Sequence, residues 1–304
     1  MMKIERILCP TNLSNESDGA LRYGVALARA YKAKLFLMYC GEAALASAGL
    51  AGGVKAYVKG LFEEGLTRHL GLADFSTLDW EGIVVESGKD PGDEIVREAA
   101  ERRIDLIVMR SRRRPRAAAL LGSTAEQVYR TAPCPVLVTH PHEQEWVSMS
   151  TGEIDLRRVL VAHDFSTDSE LALRYAISLA QEYQAELHLI HVLGRPETDG
   201  PEIAWGPESV EGAYHTAARR LQQAISGEAH LWCNVVHTVR WGKPYQEVLA
   251  YAREQEIDLI CMGAKGKNFS MGALFGSNVD RVLRQALCPV LVARPLRPAI
   301  ASAT

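Results

Sequence analysis

A glycine-rich segment late in the chain, residues 263–277, has the residue types that bind phosphate groups. It follows a short apolar run that ends at Met262, which is typical of a buried strand. Gly263 and Gly266 allow the main chain to pass close to a ligand or to adopt a positive φ. Ligands of open parallel sheets bind at the carboxyl ends of the strands, so this segment stands where a site is expected.

The end of the same segment adds a second feature suited to phosphate. Gly276-Ser277 opens a helical pattern, and the free N–H groups and positive dipole end of a helix N-terminus favour an anion. Lys265 and Lys267 can add charge-assisted contacts. The chain has neither a GxxxxGKS/T motif nor a GxGxxG motif after a strand. On these residues alone, a surface loop with glycines at its turns remains an alternative.

The elements that must position this loop belong to an internal repeat, with an offset that drifts only from 152 to 154 residues. A match that persists over most of the chain indicates a duplication rather than chance. The matching pairs are Ile7–Ser14 with Val159–Ser166, Ile104–Ile107 with Ile257–Ile260, Gly122-Ser123 with Gly276-Ser277, and Cys134–Val138 with Cys288–Val292.

Each copy alternates apolar runs of strand length with helical patterns. This predicts an α/β fold: a five-stranded, parallel, open, Rossmann-like sheet with helices on both faces. Ser166 or Thr167 is expected to cap the first helix of the second copy, with Thr167 and Glu170 at capping-box spacing. The strands predicted there are 157–163, 186–192, 231–239, 257–262 and 289–293, and the later helices are near 208–226, 245–255 and 277–287.

The same pattern predicts where the domains begin and end. Residues 1–140 form the first domain and residues 156–294 the second. Residues 141–155 are polar, without apolar periodicity, and are expected to be a linker. Residues 295–304, which contain two prolines, are expected to be a flexible tail.

The loop spacing, Gly-x2-Gly-x9-Gly-Ser, is similar to the nucleotide-binding loop of the universal stress protein family. The resemblance covers both halves, with an Asp-Phe-Ser step at 164–166, an Asp-Leu-Ile strand at 258–260 and a closing Cys-Pro-Val-Leu-Val strand at 288–292. It implies an adenine nucleotide alpha-hydrolase-like fold and ATP, with Mg²⁺, as the ligand. It also implies that the two halves pack through their closing strands, 134–139 and 288–293.

The resemblance further implies which residues of the second half contact the nucleotide. Those assigned to the base and ribose are Ala162, His163, Asp164, Val192, Met262 and Gly263, and those assigned to the phosphates are Gly266, Lys267, Gly276, Ser277 and Asn278. For Asp164, a role as N-cap of the following helix remains an alternative, and it is compatible with ligand contact.

The first half departs from this pattern at the positions that matter. Asn12 stands where the second half has Asp164, and the stretch Arg110–Arg116 replaces the one that holds Gly263 and Gly266. We therefore expect one ATP site per chain. The arginine cluster could bind an anion, an acidic partner or a nucleic-acid backbone, and a solvated loop is the alternative. The altered pocket could also take a different small ligand.

The resulting hypothesis is an ATP-binding tandem protein that acts as a stress- or energy-responsive regulatory module. Two alternatives stay open: a slow ATPase or phosphotransferase that uses the same loop, and a nucleotide-free scaffold that binds a partner. No catalytic residue can be nominated, because Ser277 has no identifiable base and efficient phosphoryl transfer needs a metal clamp and a group that orients the nucleophile.

Composition restricts the partners and the location. A net charge of −3 gives no general attraction to nucleic acid or to an anionic membrane. Neither a signal peptide nor a membrane span is recognisable, which predicts a cytoplasmic protein. The six cysteines lack metal-ligand spacing and are expected to be reduced, and His140 and His142 have no obvious third ligand. Pairing of the two domains within the chain, or a homo-oligomer, is expected.

Overall fold

The protein is described by a computed structural model. The described residues are 3–14, 17–41, 53–74, 77–86, 89–111, 123–140, 145–148, 151–194, 207–225, 232–266 and 277–295. Lys267, Gly276, Arg112–Arg116, Gly122, His142 and all but the first residue of the predicted tail lie outside these ranges.

Strands and helices alternate along the whole of the described chain, as the repeat predicts. In the first half they are β1 (Arg6–Thr11), α1 (Asp18–Tyr31), β2 (Lys34–Gly41), α2 (Gly53–Asp74), β3 (Trp80–Glu86), α3 (Pro91–Glu101), β4 (Leu106–Arg110), α4 (Ser123–Thr131) and β5 (Val136–Thr139). In the second half they are β6 (Arg158–Ala162), α5 (Thr167–Tyr183), β7 (Glu186–Leu193), α6 (Pro207–Gln223), β8 (Val235–Trp241), α7 (Pro244–Glu254), β9 (Leu259–Gly263), α8 (Ser277–Gln285) and β10 (Val290–Ala293).

The ten strands form one sheet in the order β3-β2-β1-β4-β5-β10-β9-β6-β7-β8. Neighbouring strands within each half are parallel, and β5 and β10 join the halves as an antiparallel pair. In this pair Val138 lies opposite Val290, and Val136 lies opposite Val292. The predicted contact between the two closing strands is therefore confirmed.

Helices cover both faces of the sheet and enclose two apolar cores, each of which continues through both halves. One core lies under α1, α2, α5 and α6, and includes Leu21, Phe62 and Leu173. The other lies under α3, α4, α7 and α8, and includes Val128 and Val282. Burial on both faces explains why the strands read as continuous apolar runs rather than as alternating ones.

The predicted linker contributes to the first core. Trp146 and Val147 are buried, and the Trp146 ring meets the Tyr23 ring edge-on with centroids 4.7 Å apart. The main-chain N–H of Trp146 also donates to the Tyr23 hydroxyl over 3.3 Å. Two adjacent apolar residues are too few to produce a periodicity, but they bury enough surface to hold the segment against α1.

Two local expectations were wrong. The predicted strand 231–239 is β8, Val235–Trp241, because Trp232 is 66% exposed and takes no part in the sheet. Ser166, one of the two expected caps, is the N-cap of α5, but its capping box is made with Ser169, and Thr167 does not pair with Glu170 as expected. Phe165 has a φ of 61°, and this turn leaves Ser166, in an extended conformation, as the residue that precedes the helix.

Candidate functional site

The crevice of the second half is the region at the adjoining carboxyl ends of β6 and β9. From β6 the chain continues through β7 and β8 on one side, whereas β9 and β10 lie on the other side. The connections that leave the two central strands therefore diverge, which is the usual position of a ligand site in an open α/β sheet. Ala162 ends β6 and aligns with Ile190 of β7 and Met262 of β9.

Three predicted residues form an apolar surface beside this crevice. Ala162, Val192 and Met262 lie on three adjacent strands, and all three pack on the core beneath α7 and α8. Met262 is buried, and the other two are half-buried. This surface is suited to the face of a planar, largely apolar ring.

Asp164 follows β6 and makes the turn into α5. One carboxylate oxygen, Oδ1, accepts hydrogen bonds from the main-chain N–H of Ser166 at 3.1 Å and from its hydroxyl at 2.5 Å. Ser166 is the N-cap and accepts from Ser169 N–H at 3.2 Å. Asp164 is thus not itself the N-cap: it supports the residue that is.

Gly266 brings the loop after β9 against this carboxylate. A Cβ built on Gly266 would lie 2.8 Å from Oδ2 of Asp164, closer than real Cβ contacts occur. The absence of a side chain therefore lets the loop main chain and the Asp164 carboxylate share one edge of the crevice.

The start of the same loop is fastened to the N-terminus of α5. A Cβ on Gly263 would lie 2.5 Å from the carbonyl carbon of Asp168 and 2.7 Å from the N atom of Ser169. The N–H of Lys265 donates to Oδ2 of Asp168 over 2.9 Å. Asp168 was not among the predicted residues. An acidic residue in a first helical turn was visible in the sequence, but its partner is 97 residues away.

The ring of His163 lies on the opposite face of the sheet from Ala162. It is buried, edge-on to Phe165, with Nε2 3.4 Å from Oε1 of Glu170. Burial lowers the pKa of His163. Its main-chain N–H donates to the Ile190 carbonyl at 2.9 Å, and its carbonyl accepts from Nδ1 of His191 at 2.7 Å.

Two of the predicted phosphate residues begin the last helix. Ser277 and Asn278 are the first residues of α8, and Asn278 is half-buried. The first turn of α8 also carries Asp280, which accepts hydrogen bonds from the hydroxyl of Tyr129 and from Arg130, both in the first half. Lys267 and Gly276 lie outside the described residues.

In the first half, Arg110 stands at the position of Gly263, and the helix beside it starts later. With the offset of 152, Asp18, the first residue of α1, corresponds to Glu170, three residues after the start of α5 at Thr167. Because Gly263 has no Cβ, the first turn of α5 can lie directly against it. An arginine at the same position leaves no room for such a contact. The expectation that this half does not bind ATP in the same way stays a prediction.

The described residues contain no group of three or more His, Cys, Asp or Glu side chains that could hold a metal ion. Within the same ranges, no helix is long and apolar enough to cross a membrane.

Nε2 of His140 is within hydrogen-bond distance of the Leu283 carbonyl, at 2.5 Å. All six cysteines are free.

Comparison with known proteins agrees with this architecture. The model of the Universal stress protein family matches residues 3–140 and again residues 155–294. The chain belongs to the universal stress protein family. It contains two domains of that family in tandem.

Individual relatives resemble this universal stress protein over one domain or more. Universal stress protein Rv2623 of Mycobacterium tuberculosis is 30% identical over 184 residues, which are 58% of this chain and 56% of that protein. Universal stress protein MJ0531 of Methanocaldococcus jannaschii is 29% identical over 144 residues, 47% of this chain and 85% of that protein. The crystal structure of a universal stress protein from Archaeoglobus fulgidus shares the fold, with a TM-score of 0.62 at 23% identity over 95% of this chain and 96% of the other.

Proposed function

We propose that the second domain binds ATP in the crevice at the carboxyl ends of β6, β7 and β9, and that the chain is a stress- or energy-responsive regulatory module. The observation that carries this proposal is the close approach of the Gly266 main chain to the Asp164 carboxylate. The glycine stands at the residue where the loop meets Asp164, and a residue without a side chain is what close main-chain approach requires.

The base is placed on the apolar surface of Ala162, Val192 and Met262. Along β7, the Leu193 carbonyl accepts from Gly242 and so points towards β8. Main-chain groups of successive strand residues point to alternate sides, so those of Val192 point towards β6 and the crevice. An adenine on the apolar surface would therefore meet a donor and an acceptor at one edge. His163 contributes main-chain atoms to this region, because its ring lies on the other face.

The ribose and phosphates are placed between Asp164 and α8. The carboxylate of Asp164 can accept from a ribose hydroxyl beside Gly263, and the phosphates extend over Gly266 towards Ser277 and Asn278 at the N-terminus of α8. Lys267 and Gly276 complete the proposed phosphate site. Mg²⁺ would be held mainly by phosphate oxygens and water, as is usual for this ion.

Binding rather than efficient turnover is proposed, because Asp164 is engaged at the ribose end. Its Oδ1 accepts two hydrogen bonds from Ser166, so this oxygen is occupied by the cap of α5. Efficient phosphoryl transfer needs a group that orients the attacking oxygen at the terminal phosphate. We also propose a cytoplasmic location, where six free cysteines stay reduced.

The test is the nucleotide content of the purified protein, measured by acid release and chromatography, together with turnover of added ATP. The proposal expects adenine nucleotide in close to a one-to-one ratio with the chain, and hydrolysis near the background rate. Absence of any bound or bindable adenine nucleotide would favour a partner-binding scaffold. Turnover far above background would favour an ATPase or phosphotransferase.

A further inference from the structure

Among the described residues of the first domain, Arg110 at the end of β4 is a positive charge without a partner. Arg110 is half-buried, its Nε is fully buried, and neither a hydrogen bond nor an ion pair reaches its guanidinium in the described part of the chain. Burying a charged group without a compensating partner is costly. A guanidinium in this setting is suited to an anion that comes from outside the chain.

Thr139 adds an unused hydroxyl next to this charge. Arg110 and Thr139 are aligned neighbours on β4 and β5. Arg110 and Thr139 each follow a core residue, Val108 and Leu137, by two positions, so they lie on the same face of the sheet, beneath α1. Thr139 is only 1% exposed, and within the described ranges its Oγ1 has no hydrogen-bond partner. Its counterpart in the second domain is Ala293, so the hydroxyl is particular to the first domain.

The N-terminus of α1 lies over the same two strands. α1 packs on both β4 and β5, and because it follows the carboxyl end of β1, a parallel neighbour of β4, its N-terminus lies at the edge of the sheet where β4 and β5 end. Ser17, the N-cap residue of α1, makes no side-chain cap, because its hydroxyl donates to the Ser14 carbonyl. The first N–H groups of α1 therefore lack a side-chain acceptor.

Asp18, the acidic residue in the first turn of α1, is not the partner of Arg110. Asp18 pairs with Arg68 of α2 at 2.9 Å and with His69 at 3.3 Å. Burial alone would raise the pKa of Asp18, but these two partners outweigh it, lower the pKa and hold the charge on the α2 side of the helix. The side of α1 that faces β4 and β5 thus combines a guanidinium, a buried hydroxyl and, within the described residues, helix N–H groups that no side chain caps.

We propose that the first domain binds a small tetrahedral oxyanion, a phosphate or a phosphate-bearing molecule, between Arg110, Thr139 and the N-terminus of α1. All three groups donate hydrogen bonds, and two of them carry full or partial positive charge. Helix N-termini and guanidinium groups are the usual protein ligands of phosphate. The site lies in the domain that is not expected to bind ATP, and it does not depend on the nucleotide site of the second domain.

The experiment is a calorimetric titration of the full chain with inorganic phosphate, supported by ³¹P NMR, with acetate as a planar comparison. Arg110→Gln is expected to weaken phosphate binding by about tenfold to hundredfold, the loss of one charged hydrogen-bonding partner. Arg103→Gln is the matched control, because Arg103 is exposed at the opposite edge of the same domain.

Thr139→Val separates a ligand contact from a structural role. Valine keeps the shape of the side chain and removes a buried hydroxyl that has no protein partner, so the ligand-free protein should be as stable or more stable. Phosphate binding should nevertheless weaken severalfold. A stability loss with unchanged phosphate affinity would contradict the proposal.

Three further results would overturn the assignment. The wild-type chain could fail to bind phosphate at millimolar concentrations. Phosphate binding could persist in Arg110→Gln and disappear in Gly266→Val, which would place the anion in the nucleotide loop. Acetate could bind as tightly as phosphate, which would exclude selection for a tetrahedral oxyanion. ATP affinity, measured in the same proteins, reports separately on the second domain.

Discussion

Asp164 and Gly266 stand 102 positions apart in the chain, yet a Cβ on Gly266 would lie 2.8 Å from Oδ2 of Asp164. The other carboxylate oxygen holds the N-cap of α5 through Ser166. The turn after β6, the start of α5 and the loop after β9 are thus joined at one point. A side chain added at Gly266 must displace this carboxylate, which disturbs a helix cap and the proposed ribose contact together.

Gly263→Ala is expected to destabilise the protein by about 1–3 kcal/mol, the usual cost of overpacking. The added methyl group would meet main-chain atoms of Asp168 and Ser169, which cannot rotate away as a flexible side chain would. Urea unfolding provides the measurement. Gly212→Ala is the control, because Gly212 is exposed on α6 with open space around it and should gain up to about 1 kcal/mol. Equal stability of the two variants would show that the α5–β9 contact is looser than described.

Asp168→Ala is expected to loosen the nucleotide loop without unfolding the domain. The substitution removes the acceptor of the Lys265 N–H, a hydrogen bond worth about 0.5–1.5 kcal/mol. Hydrogen exchange of the Lys265 amide should accelerate, and ATP affinity should fall by a few-fold to about tenfold. Asp168→Asn keeps an acceptor oxygen and should lie between the variant and the wild type. Unchanged exchange at Lys265 would refute the anchoring role.

Arg130 and Asp280 are expected to be energetically coupled across the two domains. Nη2 of Arg130 lies 2.8 Å from Oδ2 of Asp280, and both side chains are largely buried. Glu126 and Arg284, the repeat counterparts of Asp280 and Arg130, lie 3.9 Å apart in the reciprocal position. A double-mutant cycle of Arg130→Ala and Asp280→Ala should give a coupling energy of about 0.5–3 kcal/mol. Additive losses would mean that each residue stabilises only its own domain.

Stability is expected to fall below neutral pH, partly through His188. Burial lowers the pKa of His188 from 6.5, and its Nδ1 lies 2.8 Å from the hydroxyl of Tyr251. A lowered pKa in the folded state means that the neutral ring is favoured there. Its contribution to stability is therefore complete above about pH 6.5 and is lost as the pH falls from there through the lowered folded-state pKa.

His188→Phe isolates this contribution, because Phe36 occupies the matching position in the first domain. The variant should lose less stability than the wild type between pH 7 and pH 5, as measured by urea unfolding. His215→Gln alters an exposed histidine of α6 and should keep the wild-type dependence. A wild-type slope in His188→Phe would rule out the buried ring as a source of the acid sensitivity.

The internal repeat made the fold predictable, because one set of strands and helices had to account for both halves. The closing strands were recognised from two copies of Cys-Pro-Val-Leu-Val, and β5 and β10 pair as expected. The positions of Gly263 and Gly266 also identified the loop that meets the turn at Asp164. Spacing conveys such information because glycine is required where main chain passes close to other atoms.

Contacts between distant side chains could not be predicted. The bond from Lys265 to Asp168 joins two elements that only the folded sheet brings together. The ring of His163 turns away from the crevice and packs on Phe165. His163 is the first residue after β6, and the direction of its side chain is set by the turn that follows, which the sequence does not reveal. Trp146 was hidden in a polar stretch, since a lone apolar pair leaves no periodic pattern.

ATP binding by the second domain is tested most sharply by calorimetric titration of nucleotide-free protein with ATP and magnesium, in the wild type and in Gly266→Val. We expect one site per chain in the wild type, with saturating ATP at a hundred times Kd adding about 2.7 kcal/mol to the free energy of unfolding. In Gly266→Val we expect loss of ATP binding by a protein that remains folded. Two equivalent sites in the wild type, or unchanged affinity in the variant, would contradict it.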